Sequence, residues 1–144
     1  MICVDSSVAV KWILQEDRTE QAQALLAATL AAREAIVAPP LLTIEITNIL
    51  RQRMRRTAQF TLERVLRLLD DFEGFPVDIH NPPGLHRRAL VLAAELDLAA
   101  AYDAHYLALA AMFDCTIWTD DQRLFAAAAQ QPFRIRLISD YGVS

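Results

Sequence analysis

The chain has 144 residues, which is the size of one ordinary domain and too few for two large ones. Apolar residues make up 54% and charged residues 22%, a composition typical of a globular rather than a disordered chain. The net charge of −4 excludes nucleic-acid binding through overall positive charge, although a local basic patch remains compatible with it. Only three glycines are present, which argues against an all-β fold with many turns.

The mean hydropathy of +0.21 raises the question of a membrane segment. The most apolar stretch, residues 98–113, is interrupted by Asp103 and His105 and is shorter than the ~20 residues that a membrane span needs. No signal-peptide pattern stands at Met1, because Asp5 interrupts the first apolar run. Cys3 and Cys115 lie inside short apolar runs, which is typical of buried, reduced thiols. We therefore expect a soluble, cytoplasmic protein that does not bind a membrane.

Short apolar runs alternate with longer stretches of helical spacing along the chain. The runs that predict strands cover residues 1–4, 36–38, 75–79, 116–118 and 135–138. The stretches that predict helices cover residues 8–14, 19–33, 41–55, 62–72, 85–96, 102–113 and 122–130. Strands that alternate with helices indicate a parallel sheet covered on both faces. We therefore predict one domain, residues 1–144, with a three-layer α/β/α fold and a central parallel sheet of four or five strands.

Acidic residues follow two of the predicted strands. Asp5 comes directly after the first strand, and Asp120 and Asp121 follow the strand at 116–118. Ligand sites in open parallel sheets form beyond the carboxyl ends of the strands. Each of these aspartates also stands where a helix begins, and aspartate is a good N-cap, so helix capping is the alternative role at each position.

Two further acids, Glu45 and Asp103, lie in stretches of helical spacing and have mostly apolar neighbours three and four positions away. A buried carboxylate without a partner is costly, or it takes up a proton. Its usual partner is a basic side chain or a metal ion, and neither stretch has a nearby lysine or arginine on the same face. Together with the acids at the strand ends, these residues predict four carboxylates that converge on one cavity.

A carboxylate cluster without histidine or cysteine ligands selects hard divalent cations such as Mg²⁺ or Mn²⁺. Such an ion turns a bound water into a nucleophile near neutral pH and neutralises charge on a phosphate. The predicted cluster therefore indicates metal-assisted hydrolysis of a phosphodiester bond.

Four short segments in this chain also form an ordered set of motifs between Met1 and about residue 138. They are VDSSVAVKW at 4–12, PPLLTIEITNIL at 39–50, YDAHYLALA at 102–110 and WTDDQRL at 118–124. The set resembles the motifs of the PIN-domain family, and more narrowly those of the VapC-type ribonuclease toxins of bacterial toxin–antitoxin pairs. No single segment is specific, but four in the right order make the resemblance strong.

The resemblance implies a Mg²⁺- or Mn²⁺-dependent endoribonuclease whose catalytic acids are Asp5, Glu45, Asp103 and Asp121. It implies that Asp5, Asp103 and Asp121 bind the metal ion, with Asp5 and Asp103 as the principal ligands. It gives supporting roles to Thr119, Asp120 and Asn48, and the adjacent aspartates leave open whether Asp120 or Asp121 faces the metal. It further implies a homodimer and a small VapB-type antitoxin that inserts a segment across the active site.

Arginines are concentrated in the segment that follows Glu45. Six of the 14 basic residues fall within residues 51–67, and the first four are Arg51, Arg53, Arg55 and Arg56. They are candidates for binding the phosphates of an RNA substrate. The alternative is that they form a solvated helix C-terminus, where the positive charges of arginines interact favourably with the helix dipole.

Other functions are compatible with parts of the sequence. A PIN-like domain that binds RNA or protein without cutting is the main alternative, and metal-dependent cleavage distinguishes the two. A metal-independent nuclease would need a histidine pair from His80, His86 and His105, which share no motif. A phospho-accepting receiver domain would need a lysine after its last strand, whereas the only lysine, Lys11, lies in the first predicted helix. The two cysteines lack the spacing of a zinc site.

Overall fold

The structure is a computed structural model that describes residues 1–142. Five strands form one sheet, and all the paired strands are parallel. The strands are β1 (Ile2–Val4), β2 (Ile36–Ala38), β3 (Val77–Ile79), β4 (Thr116–Thr119) and β5 (Ile135–Leu137). Their order in the sheet is β3-β2-β1-β4-β5. The predicted parallel sheet is therefore confirmed, with five strands.

Helices occupy the segments between the strands and cover both faces of the sheet, as predicted for a three-layer α/β/α fold. The helices in residues 1–142 are α1 (Ser6–Ala9), α2 (Thr19–Ala31), α3 (Leu41–Arg56), α4 (Leu62–Glu73), α5 (Leu85–Glu95), α6 (Tyr102–Met112) and α7 (Gln122–Ala128). Short 3₁₀ turns at Val10–Trp12 and Ile138–Asp140 complete the structure. None of these helices has both the length and the apolar character needed to cross a bilayer.

The first helix differs from its prediction at both ends. The apolar spacing predicts a helix over residues 8–14, whereas α1 begins at Ser6 and passes into the 3₁₀ turn at Val10. The start is earlier because the Asp5 carboxylate accepts a hydrogen bond from the amide of Val8 and so caps the helix. Apolar periodicity does not detect the two serines that this cap brings into the first turn.

β1 and β2 are buried along their whole length, β4 is buried except at Thr116, and the edge strand β3 is largely exposed. β1 pairs with β2 on one side and with β4 on the other, so the chain order reverses at β1. In open parallel sheets the ligand crevice forms at such a switch point, beyond the carboxyl ends of the two strands. Asp5 directly follows β1, and Asp120 directly follows β4. The fold thus brings these two chain segments to the same edge of the sheet.

Both cysteines are buried and free, as predicted. Cys3 lies within β1, and Cys115 immediately precedes β4. Burial raises the pKa of both thiols, so they remain protonated near neutral pH.

Candidate active site

Asp5 is buried at the junction of β1 and α1, and only 4% of its surface is exposed. Its Oδ1 accepts hydrogen bonds from the Ser7 hydroxyl at 2.5 Å and the Val8 amide at 3.3 Å. Its Oδ2 accepts a hydrogen bond from the Thr119 hydroxyl at 2.5 Å. Burial raises the pKa of Asp5 to about 7, although these hydrogen bonds lower it. The carboxylate therefore has a fixed orientation but no countercharge that would offset its desolvation.

Thr119, the last residue of β4, is fully buried and connects the two strand ends. Besides donating to Asp5, its hydroxyl oxygen accepts a hydrogen bond from the Asp121 amide at 3.0 Å. The Asp120 amide donates to the Ser7 hydroxyl at 2.8 Å. These bonds join the turn after β4 to the first turn of α1. Thr119 thus links the ends of β1 and β4 through hydrogen bonds.

The adjacent aspartates Asp120 and Asp121 have different surroundings. Asp120 forms ion pairs with Arg18 at 2.6 Å and with the Lys11 ammonium at 3.1 Å. Asp121 caps α7, because its Oδ1 accepts hydrogen bonds from the amides of Arg123 and Leu124. The charge of Asp121 also raises the pKa of Asp103. The structure therefore places Asp120 in an ion-pair network and Asp121 within electrostatic reach of another predicted site acid.

Glu45 lies in the first half of α3 and is only partly exposed. The hydroxyl of Tyr106, on α6, donates a 2.5 Å hydrogen bond to its Oε1. Burial raises the pKa of Glu45, the bond from Tyr106 lowers it, and the charge of Asp103 raises it. Tyr106 is itself fully buried, and the pKa of its phenol is far above the usual value because of burial and the adjacent Glu45. The phenol therefore stays protonated and acts as a donor.

Asp103, in the first turn of α6, connects the cluster electrostatically. Its charge raises the pKa of both Asp5 and Glu45. Its own pKa is raised by burial and, secondarily, by Asp121. Asp103 is thus the acid that interacts electrostatically with each of the other three, Asp5, Glu45 and Asp121.

No lysine or arginine in residues 1–142 forms an ion pair with Asp5, Glu45, Asp103 or Asp121. Nor are three His, Cys, Asp or Glu side chains of this part of the chain grouped closely enough to hold a metal ion. The oxygens of Asp5 accept hydrogen bonds from the hydroxyl groups of Ser7 and Thr119. The arrangement is an acidic cluster that lacks positive charge. The chemistry of its donors, oxygen only and with several negative charges, fits a hard divalent cation.

The predicted substrate-binding arginines lie on the C-terminal half of α3, beyond Glu45. Arg53 forms an ion pair with Glu16 at 2.5 Å and lies over the ring of Phe60. Arg51, Arg55 and Arg56 are exposed. Asn48, for which a supporting role is predicted, lies one turn after Glu45 and is exposed to solvent.

The three histidines are not arranged as the catalytic pair of a metal-independent nuclease would be. His80 packs edge-on against Phe113, with ring centroids 5.0 Å apart. His86 and His105, which share no motif, nevertheless form a direct hydrogen bond of 3.1 Å between ring nitrogens. Two rings in direct contact leave no space between them for a phosphate. The interpretation of the histidines as an acid–base pair is therefore not supported by their geometry.

The receiver-domain interpretation is also wrong for this fold. Receiver domains have the strand order 2-1-3-4-5, whereas the order here is 3-2-1-4-5. Lys11 is 4% exposed and forms ion pairs with Glu16 and Asp120. It therefore belongs to the network that holds Asp120.

Three residues around the site, Ser7, Lys11 and Tyr106, are not among those that the sequence patterns predict. Tyr106 stands three positions after Asp103, so helical spacing places both on neighbouring parts of one face. This spacing is the signal by which Tyr106 could be found. Ser7 stands two positions after Asp5, a spacing at which a short hydroxyl side chain reaches back to a capping carboxylate.

The sequence matches the family model of the PIN domain over residues 2–130. No curated protein sequence matches the chain. Among solved structures, PAE2754 from Pyrobaculum aerophilum is 20% identical with a TM-score of 0.68, and the match covers 96% of this chain and 90% of that chain. VapBC2 from Rickettsia felis, bound to a DNA fragment from their promoter, is 14% identical with a TM-score of 0.65 and coverage of 95% and 98%. FitAB bound to the IR36 DNA fragment is 18% identical with a TM-score of 0.57 and coverage of 96% and 95%.

At these identities the solved structures establish a common fold. The family model covers most of the chain and includes the four acids at 5, 45, 103 and 121. The chain therefore belongs to the PIN domain family.

Proposed function

We propose that this protein is a Mg²⁺- or Mn²⁺-dependent endoribonuclease and the toxin of a VapBC-type toxin–antitoxin pair. The observation that carries the proposal is the cluster of four interacting carboxylates without a basic partner at the switch point of the sheet. Such a cluster is costly in a metal-free protein, because the ionised carboxylates of Asp5, Glu45 and Asp103 lose solvation without gaining a countercharge. A bound divalent cation supplies that countercharge and gives the cluster a catalytic use.

In the proposed site, Asp5, Asp103 and Asp121 hold the metal ion, and Glu45 completes the site directly or through water. When bound, the ion activates water and neutralises charge on the scissile phosphate. The remaining contacts are contributed by neighbouring residues. Thr119 and Ser7 orient the Asp5 carboxylate, and Tyr106 holds Glu45 in place. Fixed ligand orientations are the usual contribution of such neighbours to a metal site.

Hydrolysis by activated water does not require the 2′-hydroxyl of the substrate. A preference for RNA must therefore arise from contacts around the carboxylates. The exposed Arg51, Arg55 and Arg56 extend along α3 from the acidic cluster, and we propose that they bind the RNA backbone. Arg53, which is bound to Glu16, contributes less to that surface.

The proposal includes a homodimer, a small VapB-type antitoxin and a cytoplasmic location. The shared fold with VapBC2 from Rickettsia felis and with FitAB supports a protein partner of this kind. An antitoxin that covers the acidic cluster would block access of RNA to it. A cytoplasmic location agrees with the free thiols of Cys3 and Cys115.

The test is cleavage of labelled total RNA by the purified protein with Mn²⁺, with Mg²⁺ and with EDTA. We expect cleavage with either metal and none with EDTA. Asp103→Asn keeps the size of the side chain but removes a ligand charge, so this variant should not cleave. Asp97→Asn is the matched control, because Asp97 is an exposed aspartate after α5 and outside the cluster.

Cleavage that survives both EDTA and Asp103→Asn would contradict the proposed mechanism. A folded protein, free of antitoxin, that retains RNA and leaves it intact with Mn²⁺ would favour the alternative of a non-catalytic PIN-like binding module.

A further inference from the structure

A chain of ion pairs borders the acidic cluster and reaches the turn between β4 and α7. Lys11 lies at its centre and is 4% exposed. Its ammonium is 3.2 Å from Oε2 of Glu16 and 3.1 Å from Oδ2 of Asp120. Arg53 pairs with Glu16 at one end, and Arg18 pairs with Asp120 at the other. Cations and carboxylates therefore alternate along this chain, which we call the Lys11 network.

Asp120 connects the Lys11 network to the acidic cluster through its backbone. Its carboxylate is held by Lys11 and by two nitrogens of Arg18, at 2.6 and 3.1 Å, and its side chain is only 10% exposed. Its amide donates a hydrogen bond to the Ser7 hydroxyl at 2.8 Å, and that hydroxyl donates to Oδ1 of Asp5 at 2.5 Å. An anchored Asp120 therefore holds the Ser7 hydroxyl against Asp5.

The two residues that flank Asp120 are also part of the site. Thr119 donates to Oδ2 of Asp5 at 2.5 Å and accepts a hydrogen bond from the Asp121 amide at 3.0 Å. Asp121 is a proposed ligand of the metal ion. Peptide units are planar and have a fixed length, so an anchor on the middle residue of this turn restrains both neighbours. Asp120 is thus the point at which one side-chain anchor acts on two proposed ligands.

We propose that Lys11 is a positioning residue for the metal site. Through its ion pair with Asp120, it fixes the turn at residues 119–121. The fixed turn orients the carboxylates of Asp5 and Asp121 for a divalent cation. The inference rests on the proposed function and adds to it a residue that contacts neither the metal ion nor RNA. The competing role for Lys11 is stabilisation of the fold alone.

The variant Lys11→Met separates these roles by the sign of its effect on Mn²⁺ binding. Loss of a positive charge near a cation site strengthens cation binding by electrostatics alone, whereas loss of an anchor weakens it. Groups that orient metal ligands typically contribute tenfold or more to metal affinity, so we expect the Kd for Mn²⁺ to rise about tenfold in titration calorimetry. An unchanged or lower Kd would overturn the proposal.

Lys11→Met should fold, because methionine is similar in length to lysine and neither carboxylate loses its last basic partner. Asp120 keeps its pair with Arg18. Glu16 keeps its pair with Arg53. Urea unfolding confirms that the variant is folded under the conditions of the titration.

Glu16→Gln is the matched control, because it removes the other carboxylate partner of the same ammonium. It leaves both ion pairs of Asp120 in place. We expect this variant to lose stability while its Kd for Mn²⁺ changes less than twofold. A rise in Kd as large as that of Lys11→Met would overturn the proposal, since the contact with Asp120 would then not be the cause.

A measurement on the metal-free protein separates failure of this inference from failure of the proposed function. Hydrogen exchange of the Asp120 and Asp121 amides is followed by NMR with EDTA, because both donate to hydroxyl groups that contact Asp5. We expect these two amides to exchange about tenfold faster in Lys11→Met, with no such change in the control variant and none for the amides of β1. Equally faster exchange in the turn and in β1 would indicate a structural role alone and would overturn the proposal.

The outcome for the wild type addresses the proposed function separately. A wild type that neither binds Mn²⁺ nor cleaves RNA would contradict that function. The exchange rates of the Asp120 and Asp121 amides would still decide whether Lys11 fixes the turn, since they are measured without metal.

Discussion

The hydroxyl of Tyr106 donates a 2.5 Å hydrogen bond to the carboxylate of Glu45, which is 61 residues away in the sequence. The bond connects α6 to α3 across the site and favours the charged form of Glu45, because a donated hydrogen bond stabilises a carboxylate. The phenol of Tyr106 is buried and remains protonated, so the bond persists at any physiological pH. Tyr106 is therefore a positioning residue for Glu45 in the proposed mechanism.

Tyr106→Phe retains the ring and removes only the donor. We expect a loss of about tenfold or more in kcat/KM and a loss of stability of about 1 kcal/mol. The bond lowers the pKa of Glu45, so its removal raises that pKa and leaves more of the carboxyl protonated at a given pH. The acidic limb of the pH–rate profile should therefore move to higher pH.

The measurement is the pH dependence of kcat/KM with Mn²⁺ for both proteins. Tyr141→Phe is the control, because the Tyr141 hydroxyl donates its hydrogen bond to the carbonyl of Ala24 at 3.5 Å and to none of the four site acids. A Tyr106→Phe profile that is lower at every pH but not displaced would indicate a structural role alone.

The adjacent aspartates provide a matched pair for a second prediction. Asp121→Asn removes a charge that acts on Asp103, and we expect a loss of cleavage of about 10²-fold with little change in stability. Asp120→Asn removes one of two carboxylate partners of the buried Lys11, and we expect a loss of about 1–3 kcal/mol in the free energy of unfolding. Asp120→Asn should reduce cleavage less than Asp121→Asn does.

The measurements are urea unfolding and cleavage rates for both variants under the same conditions. The opposite pattern, with Asp120→Asn inactive and Asp121→Asn active, would assign Asp120 to the metal and exchange the roles of the two aspartates.

The layout of the fold was predictable because its signals are local. Apolar runs such as residues 36–38, and the prolines after them, mark strand ends without reference to distant parts of the chain. Parallel pairing then brings Asp5 and the acids after β4 to one edge of the sheet, so the location of the site follows from topology.

Other features were not predictable because they depend on contacts between distant segments. The distinction between Asp120 and Asp121 requires the positions of Lys11 and Arg18, more than 100 residues earlier in the chain. The hydrogen bond between His86 and His105 depends on how α5 packs against α6, which spacing alone does not define.

The arginines of α3 give a third prediction. Replacing Arg51, Arg55 and Arg56 with glutamine should weaken RNA binding and reduce the slope of log K against log salt by about 0.7 for each lost phosphate contact. Arg53→Gln should instead reduce stability, because its guanidinium forms an ion pair with Glu16. The measurement is RNA binding between low and high salt. The control is Arg88→Gln, because Arg88 is not on α3 and lines a different pocket, which also contains Cys115. An unchanged slope in the triple variant would assign these arginines to a solvated helix end.

The pKa of Asp5 gives the last prediction, on stability and metal binding. An unfolded aspartate titrates near ~3.9, whereas burial raises the pKa of Asp5 in the folded protein to about 7. Between these values the folded state binds the additional proton, so metal-free stability should fall as the pH rises through this window. The expected loss is on the order of 2–4 kcal/mol between pH 4 and pH 8, and Asp5→Asn should largely remove it.

A cation that binds the ionised cluster stabilises the folded state more as the pH rises, which opposes the loss of stability in the metal-free protein. At pH 8, Mn²⁺ at about 100 times its Kd should stabilise the wild type by about 2.7 kcal/mol. The same addition should stabilise the wild type less at pH 5, where Asp5 is protonated, and should have little effect on Asp5→Asn at either pH. Urea unfolding at both pH values, with EDTA and with Mn²⁺, measures all of these differences. Equal stabilisation of the wild type and Asp5→Asn would show that the ion binds elsewhere, because the charge of Asp5 is the one difference between the two proteins.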